Sequence, residues 1–275
     1  MLAKDSTATS AGAVSRPDGS TRTRAVLAAS IGNALEWYDF AVYAYVTPII
    51  SQLFFPSTDP LVSILSTFAV FAVGFLMRPV GAVFFGWLAD RRGRKTALIA
   101  SVMVMGIATV LLGLIPTYAQ IGVVAAVLLT VARLFQGFSV GGEYGASSSF
   151  LVEYAPAGKR GLYGSLAYFS SILGMAVGGS AVLLFTLLLQ SEQMTAWGWR
   201  LPFLLSFPLL VIGMYMRLKI EETPEYSGIR KEGIAVKSPL RQVVRNHGKS
   251  MLIVMGIVIA FAISTYTVVS FMLSY

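Results

Sequence analysis

Seven long apolar runs follow one another along this sequence, separated by short polar stretches. A bilayer core about 30 Å thick takes roughly 20 residues of helix to cross, and each run approaches or exceeds that length. The fourth run is overlong, so we expect a bend or a tilt at Gly141 and Gly142. The pattern predicts seven membrane-spanning helices, at Ala25–Ile50, Leu61–Leu88, Thr96–Ile115, Ile121–Tyr154, Leu162–Leu189, Leu201–Leu218 and Met251–Leu273.

The polar stretches divide the chain into four parts. Residues 1–24 are rich in Ser, Thr, Ala and Gly and lack the apolar core of a signal peptide, so we expect a disordered tail. Residues 25–218 contain six spans and predict a six-helix transmembrane bundle. Residues 219–250 are polar and predict a linker between two bundles, because they follow six spans. The seventh span, within residues 251–275, would then open a second bundle.

Composition and the placement of charge indicate lipid as the solvent. Hydrophobic residues make up 56% of the 275 positions, charged residues make up 12%, and the mean hydropathy is +0.72. A soluble domain carries about 25% charged residues. The net charge of +8 does not require a nucleic acid, because 18 of the 21 Lys and Arg residues fall on one side of a seven-span topology. This positive-inside pattern predicts a cytoplasmic amino terminus.

Residue types for metal or nucleotide chemistry are scarce. The chain has no cysteine, and its one histidine, His247, lies in a polar basic stretch. The phosphate-binding pattern G-x-x-x-x-G-K-[ST] is missing, so ATP is not the expected energy source. Acids within the spans have no His or Cys partner to form an enzyme site. We therefore expect no cofactor, no metal site and no enzymatic activity.

Between spans two and three the sequence reads G-W-L-A-D-R-R-G-R-K, from Gly86 onward. Gly86 is predicted to let two helices approach closely, and Gly93 to permit a tight turn. Asp90 lies near the start of the next helix, where the helix dipole, Arg91 and Arg94 favour its charge. Charge alone would also fit an ordinary positive-inside turn. The complete order of residues in this topological position is much more specific.

This motif resembles the cytoplasmic signature of the major facilitator superfamily, where it helps to stabilise the outward-facing state. Other segments resemble the metabolite:proton symporters, which include carriers of proline and glycine betaine, α-ketoglutarate, citrate and shikimate. The resemblance covers roughly residues 25–275, and the Glu-Glu-Thr-Pro segment favours the proline/betaine branch. The segments are Gly32–Phe40, Arg78–Gly81, Arg133–Tyr144, Trp197–Phe203 and Glu221–Pro224.

The resemblance implies an all-α polytopic membrane protein, with a six-helix amino-terminal bundle plus the first helix of the second bundle. It implies proton-coupled symport of a small polar metabolite by alternating access, with an osmolyte such as proline or betaine, or an organic acid, as substrate. Exchange in place of symport stays open. Such a protein lies in the inner or plasma membrane and has its substrate, protons and lipid as partners. The alternative is a truncated, non-transporting fragment that needs a second bundle, supplied for example by a second chain.

Acidic and basic residues within the first two spans are the first site candidates, because charge at membrane depth is costly. Helical spacing places Asn33, Glu36, Asp39 and Tyr43 on one face. Glu36 and Arg78 both lie about 17–18 Å from the cytoplasmic ends of their spans, at 1.5 Å per residue. We therefore expect Arg78 to pair with Glu36 or Asp39. Two carboxylates facing one arginine would take up a proton readily; the alternative is a buried salt bridge that serves only to orient helices.

The fourth span carries a second stripe of candidates, Arg133, Gln136 and Glu143. Arg133 and Glu143 are about 15 Å apart along the helix, too far to pair. Arg133 would hold a substrate carboxylate or pair with another helix, and Glu143 would join the proton path or counter a cation; a purely structural role for both stays open. Glu153 and Arg160 flank the following turn, where similar proteins have a cytoplasmic gate pair, and a plain surface ion pair is the alternative.

Overall fold

The computed structural model describes residues 19–156, 158–219 and 239–266, and these residues are helical apart from short connections. A five-residue π-helix, Met194–Gly198, lies between α7 and α8. The α-helices are α1 (Gly19–Phe54), α2 (Pro60–Arg92), α3 (Arg94–Leu114), α4 (Tyr118–Ile121), α5 (Val123–Glu153), α6 (Arg160–Leu188), α7 (Ser191–Gln193), α8 (Arg200–Leu218) and α9 (Pro239–Tyr266).

Within the described residues, five helices are long and apolar enough to cross a membrane: α2, α3, α5 over Val123–Glu143, α6 and α8. They correspond to five of the seven predicted spans. The 36-residue α1 is not among the five, and it carries Asn33, Glu36 and Asp39 in its middle. The apolar part of α9, Asn246–Phe261, is shorter, and residues 267–273 of the predicted seventh span lie outside the described residues.

Two helices begin earlier than the hydrophobic pattern indicated. α1 starts at Gly19, inside the stretch predicted to be a disordered tail, and α9 starts at Pro239, inside the predicted linker. A helix does not have to end where the apolar residues end, and proline suits the first helical turn because its φ is already helical. Residues 1–18 of the tail and residues 220–238 of the linker lie outside the described residues.

The helices α1 to α8 belong to one compact unit, and α9 belongs to a second. In the first unit, α1 packs on α2, α5, α6 and α8, while α3 packs between α5 and α8. The apolar core at one end is centred on Trp199, which meets Phe54 and Phe203 edge to face. In the second unit, α9 has a kink at His247, whose φ of −128° and ψ of 19° leave the helical region.

Glycine lets α2 and α5 approach backbone to backbone. A Cβ atom on Gly137 would overlap the carbonyl oxygen of Gly74, and one on Gly141 would overlap the carbonyl oxygen of Arg78. α5 runs as one helix from Val123 to Glu153 through Gly141 and Gly142, where the sequence predicted a bend or a tilt. The two glycines make room for α2. The predicted fourth span also starts later than expected, because Gly122, with a φ of 62°, separates α4 from α5.

Candidate functional site

A cavity of about 30 Å³ lies between α1, α2 and α5. One water needs roughly 10–15 Å³ of such space, so the cavity accommodates about two or three waters. Four of its side chains are ionisable, two acidic and two basic. The lining residues are Glu36, Asp39, Phe40, Phe71, Gly74, Phe75, Arg78, Arg133, Gln136, Gly137 and Val140.

Asp39 forms an ion pair with Arg133, which reaches across from α5. Nη1 of Arg133 lies 3.2 Å from Oδ2 of Asp39, and both side chains are buried. Gln136 donates from Nε2 to the same oxygen at 2.9 Å and also lies 2.9 Å from the hydroxyl of Thr109 on α3. The Arg133 guanidinium stands 3.5 Å from the centre of the Tyr43 ring, a cation–π contact. Thus α1, α3 and α5 converge on one carboxylate.

The predicted pairing of Arg78 with Asp39 is wrong, because Arg133 occupies that place, and among the described residues no ion pair joins Arg78 to Glu36 either. Arg78 instead stands over the Phe75 ring at 4.1 Å. The sequence argument compared depth along two helices, and depth does not specify which way a side chain points around the helix axis. Glu36 and Arg78 nevertheless face the same cavity, and in the described part of the chain Glu36 Oε2 and Arg78 Nε are buried without a hydrogen-bond partner.

A second buried ion pair joins Glu143 of α5 to Arg217 of α8. Both side chains are only 1% exposed, and Arg217 donates to both carboxylate oxygens of Glu143. The guanidinium also donates to the backbone carbonyls of Leu98 and Ala28, and the hydroxyl of Ser101 donates to Glu143 at 2.5 Å. This network ties α8 to α1, α3 and α5. Glu143 is therefore fully partnered and does not line the cavity.

Arg217 was not predicted from the sequence as a site residue, although it lies within the predicted span Leu201–Leu218. Its helical spacing carries the signal. Ser206, Leu210, Gly213 and Arg217 recur at intervals of three and four residues, and all four are buried on the inner face of α8. A charged residue that continues an apolar stripe requires a buried partner, and Glu143 supplies it.

Two other candidates on α1 lie beside the cavity without lining it. Asn33 donates from Nδ2 to α6, at 2.5 Å from the Ala167 carbonyl and 2.8 Å from the Ser171 hydroxyl. Tyr43 is buried and donates to the Thr67 carbonyl at 3.3 Å, while its ring face meets Arg133. Asn33 thus joins α1 to α6, and Tyr43 supports the arginine of the site.

The motif from Gly86 to Lys95, predicted to gate the conformational change, lies where α2 meets α3. Gly93, with a φ of 101°, forms the turn, consistent with the tight turn expected there. Arg91 stacks over Trp87 at 5.0 Å, and Asp90 is exposed in the last turn of α2. Gly86, expected at a close helix contact, faces open space among the described residues. The contact expected there is absent from this part of the chain.

The motif is nevertheless connected to the ends of α5 and α8. Arg94 forms an ion pair with Glu153, and Lys95 donates to the Leu218 carbonyl at 2.9 Å. We expected Glu153 to pair with Arg160, but Arg160 is exposed and the ion pair that the structure shows is with Arg94. The turn after α5 therefore contacts the α2–α3 turn, which lies far from it in sequence and close to it in space.

The family is shown by comparison with known proteins. The sequence profile of the sugar (and other) transporter family matches residues 25–247. The chain belongs to this family. It is 43% identical over 270 residues to the glycine betaine/proline/ectoine/pipecolic acid transporter OusA of Dickeya dadantii, covering 94% of this chain and 53% of the relative. It is 42% identical over 268 residues to the proline/betaine transporter of Salmonella typhimurium, with the same coverage.

Solved structures agree with the fold. The proton:xylose symporter XylE, of the major facilitator superfamily, superposes with a TM-score of 0.70 at 18% identity, over 78% of this chain and 48% of that one. The resemblance to the superfamily noted in the sequence is confirmed, and the chain is a multi-pass, all-α member of a family of transport proteins rather than enzymes. It spans about half the length of the curated relatives it matches.

Proposed function

We propose that this chain forms the amino-terminal bundle of a transporter that carries a small zwitterionic solute, such as proline or glycine betaine, together with protons. The observation that carries the proposal is a buried ion pair with unused hydrogen-bonding atoms. Asp39 and Arg133 neutralise each other, yet Oδ1 of Asp39 and Nη2 of Arg133 are buried without a partner in the described part of the chain. Buried polar atoms are normally satisfied, so these two are suited to bind the charged groups of a solute.

The charges around the cavity favour a zwitterion over an organic acid or a cation. Glu36 and Asp39 supply two negative charges, and Arg78 and Arg133 supply two positive charges. A solute with one charge of each sign can meet an acid and a guanidinium at once, whereas a polyanion such as citrate would leave the carboxylates opposed to its own charge. Glu143 does not change this balance, because Arg217 neutralises it outside the cavity.

The names of the relatives point to the same class of solute. Proline and glycine betaine are both zwitterions, and both appear among the solutes named for OusA. Phe71, Phe40 and Phe75 line the cavity, and the Phe71 ring stacks on the Tyr43 ring with their centres 5.4 Å apart beside Arg133. Aromatic faces attract quaternary ammonium groups, so this lining suits a betaine.

Alternating access supplies the mechanism in this proposal. The solute is held near the middle of the membrane between two bundles that rock about it, and α1 and α5 form the wall on this side. The opposite wall must come from a second bundle, in the same polypeptide or in a second chain. The alternative is that these 275 residues alone do not transport.

Uptake into proteoliposomes tests the proposal. The 275-residue chain is compared with a version extended by the second bundle of the Salmonella relative, using radiolabelled proline, glycine betaine, α-ketoglutarate, citrate and shikimate. We expect proline and betaine to accumulate only when an inward proton gradient is imposed, and a protonophore to abolish the accumulation. Accumulation of citrate or α-ketoglutarate instead would overturn the solute class, and accumulation that survives the protonophore would overturn proton coupling.

We also propose that the chain lies in the inner or plasma membrane with its amino terminus in the cytoplasm, as the placement of Lys and Arg supports. Because the sequence has no cysteine, single substitutions report orientation directly. Arg92→Cys, at the end of α2 that precedes the α2–α3 turn, should resist a membrane-impermeant maleimide in intact cells and react after permeabilisation. Glu192→Cys, between α6 and α8, should react in intact cells. The reverse labelling pattern would invert the topology.

A further inference from the structure

The two carboxylates of the cavity, one helical turn apart on α1, have different surroundings. Asp39 is held by Arg133 at 3.2 Å and by Gln136 at 2.9 Å. Glu36 is also buried, at 5% exposure, but its Oε2 has no hydrogen-bond partner. No guanidinium or ammonium group within the described ranges forms an ion pair with it. The negative charge of Asp39 is therefore offset by an ion pair, and a negative charge on Glu36 is not.

The charged groups that act on Glu36 come from three helices. They are the cation Arg78 on α2 and the anions Glu143 on α5 and Asp39 on α1. The Arg78 guanidinium stands over the Phe75 ring and forms no ion pair with the Glu36 carboxylate in the described residues. The other two guanidinium groups nearby already have partners, because Arg133 binds Asp39 and Arg217 binds Glu143. A negative charge on Glu36 thus experiences two other carboxylates and one cation, Arg78, which forms no ion pair with it.

An uncompensated charge in a buried site is far more costly than a neutral group of the same shape. On this ground, and resting on the proposed function, we infer that Glu36 binds and releases the coupled proton, while Asp39 and Arg133 stay charged and orient the solute. The step is simple: Oε2 forms an O–H bond with a proton delivered by water of the outer medium, and that bond breaks when the proton passes to water on the other side. No co-reactant other than water is needed, and the cavity beside Glu36 has space for water.

Proton binding to Glu36 couples directly to the solute. With Glu36 ionised, the four charged side chains of the cavity cancel, and with Glu36 protonated the cavity carries one net positive charge. That charge attracts the carboxylate of the zwitterion, so proton and solute favour each other's binding. Two ligands that bind cooperatively and cross together constitute symport. The arrangement therefore assigns separate roles to two acids that sequence spacing alone could not tell apart.

Two isosteric variants separate these roles. Glu36→Gln and Asp39→Asn each remove one carboxylate charge, and both are made in whichever form transports, the 275-residue chain or its extended version. Two readouts are taken for each: solute exchange at equal pH, which needs no net proton movement, and uphill accumulation under a proton gradient. At one proton per solute, a gradient of about one pH unit supports roughly tenfold accumulation.

We expect Glu36→Gln to retain solute exchange with a lower KM, because the neutral glutamine mimics the protonated acid that favours solute binding, while its accumulation ratio falls from roughly tenfold to about one. Asp39→Asn should lose both activities, because Arg133 is then left as a buried, unpaired charge. Glu36→Asp, which keeps a carboxyl group, should retain accumulation. A pH dye outside the liposomes gives an independent reading: solute addition should alkalinise the medium with the wild type and Glu36→Asp, and not with Glu36→Gln.

Full accumulation and full alkalinisation by Glu36→Gln would overturn the assignment. So would an Asp39→Asn variant that exchanges normally and loses only accumulation, because Asp39 would then carry the proton. Failure of the proposed function has a different signature, since the wild type itself would then show no proton-driven uptake of any zwitterion.

Discussion

Gly32 of α1 lies directly against the guanidinium of Arg217 on α8, so that a Cβ atom at Gly32 would overlap Nη2 of the arginine and crowd Glu143. Arg217 is 1% exposed and is held by one carboxylate and two backbone carbonyls, so it has no room to retreat. The ion pair that fastens α8 to the rest of the bundle therefore depends on the absence of a side chain one turn before Glu36.

Gly32→Ala should destabilise the bundle by about 1–3 kcal/mol, as overpacking of a well-filled core does. The measurement is thermal unfolding of the detergent-solubilised chain. Gly86→Ala is the matched control, because Gly86 is also helical but has no atom within 4 Å to clash with. Replacing glycine by alanine in a helix gains up to about 1 kcal/mol, so the control should be neutral or stabilised. A neutral Gly32→Ala would show that the ion pair can shift.

Breaking the Glu143–Arg217 pair from either side should be costly, because each single change leaves a buried, unpaired charge. Arg217→Met and Glu143→Gln should each destabilise the bundle by roughly 3–5 kcal/mol. The double variant should be less destabilised than the sum of the two, since no buried charge remains. Thermal unfolding of the four proteins of this cycle measures the coupling. Strict additivity would mean that the two side chains do not interact.

A methyl group placed between the backbones of α2 and α5 should push the two helices apart. At Gly137 a Cβ atom would overlap the Gly74 carbonyl, and backbone cannot move aside as a flexible side chain can. Gly137→Ala should therefore lower the thermal stability and reduce transport, because Arg133 and Gln136 precede it on α5 and would be displaced from Asp39. Gly164→Ala is the control, as its nearest neighbour would lie at an ordinary 3.7 Å. Equal behaviour of both variants would contradict the close packing.

Asn33→Ala should affect stability and leave solute affinity unchanged. The side chain joins α1 to α6 through Ala167 and Ser171, and it does not line the cavity. Loss of these hydrogen bonds should cost about 1–2 kcal/mol. Gln136→Leu provides the contrast, since it removes a donor to Asp39 and should raise the KM for the solute. A raised KM for Asn33→Ala would show that Asn33 takes part in solute binding.

The Arg94–Glu153 pair should contribute little to stability, and its contribution should depend on salt. Its side chains are 31% and 16% exposed, unlike the fully buried pair of Glu143. Exposed ion pairs are worth about 0–1 kcal/mol and are screened by added salt. Arg94→Gln should lower thermal stability slightly at low ionic strength and not at about 1 M salt, where the screening length is near 3 Å. A large loss that persists in high salt would contradict this.

Much of the fold was predictable because a lipid environment demands long apolar helices, and such helices are visible as runs of residues. Five predicted spans match α2, α3, α5, α6 and α8, and the order of residues from Gly86 to Lys95 was enough to indicate the superfamily. The ends of the helices were less predictable. Polar residues before Ala25 and after Pro239 continue as helix, and hydropathy carries no signal for a helix outside the membrane.

The sequence by itself also determined which residues are chemically unusual: acids and arginines within apolar spans, whose cost in lipid makes each a candidate. Only the tertiary structure decided which of them meet. Arg133 rather than Arg78 forms an ion pair with Asp39, Arg217 pairs with Glu143, and Arg94 pairs with Glu153. The reason is geometric. Spacing along one helix specifies the depth of a residue and the helix face on which it lies. An ion pair between two helices depends in addition on how each helix is rotated and how far apart the two lie. Close glycine contacts, such as Gly137 against Gly74, set that rotation and separation.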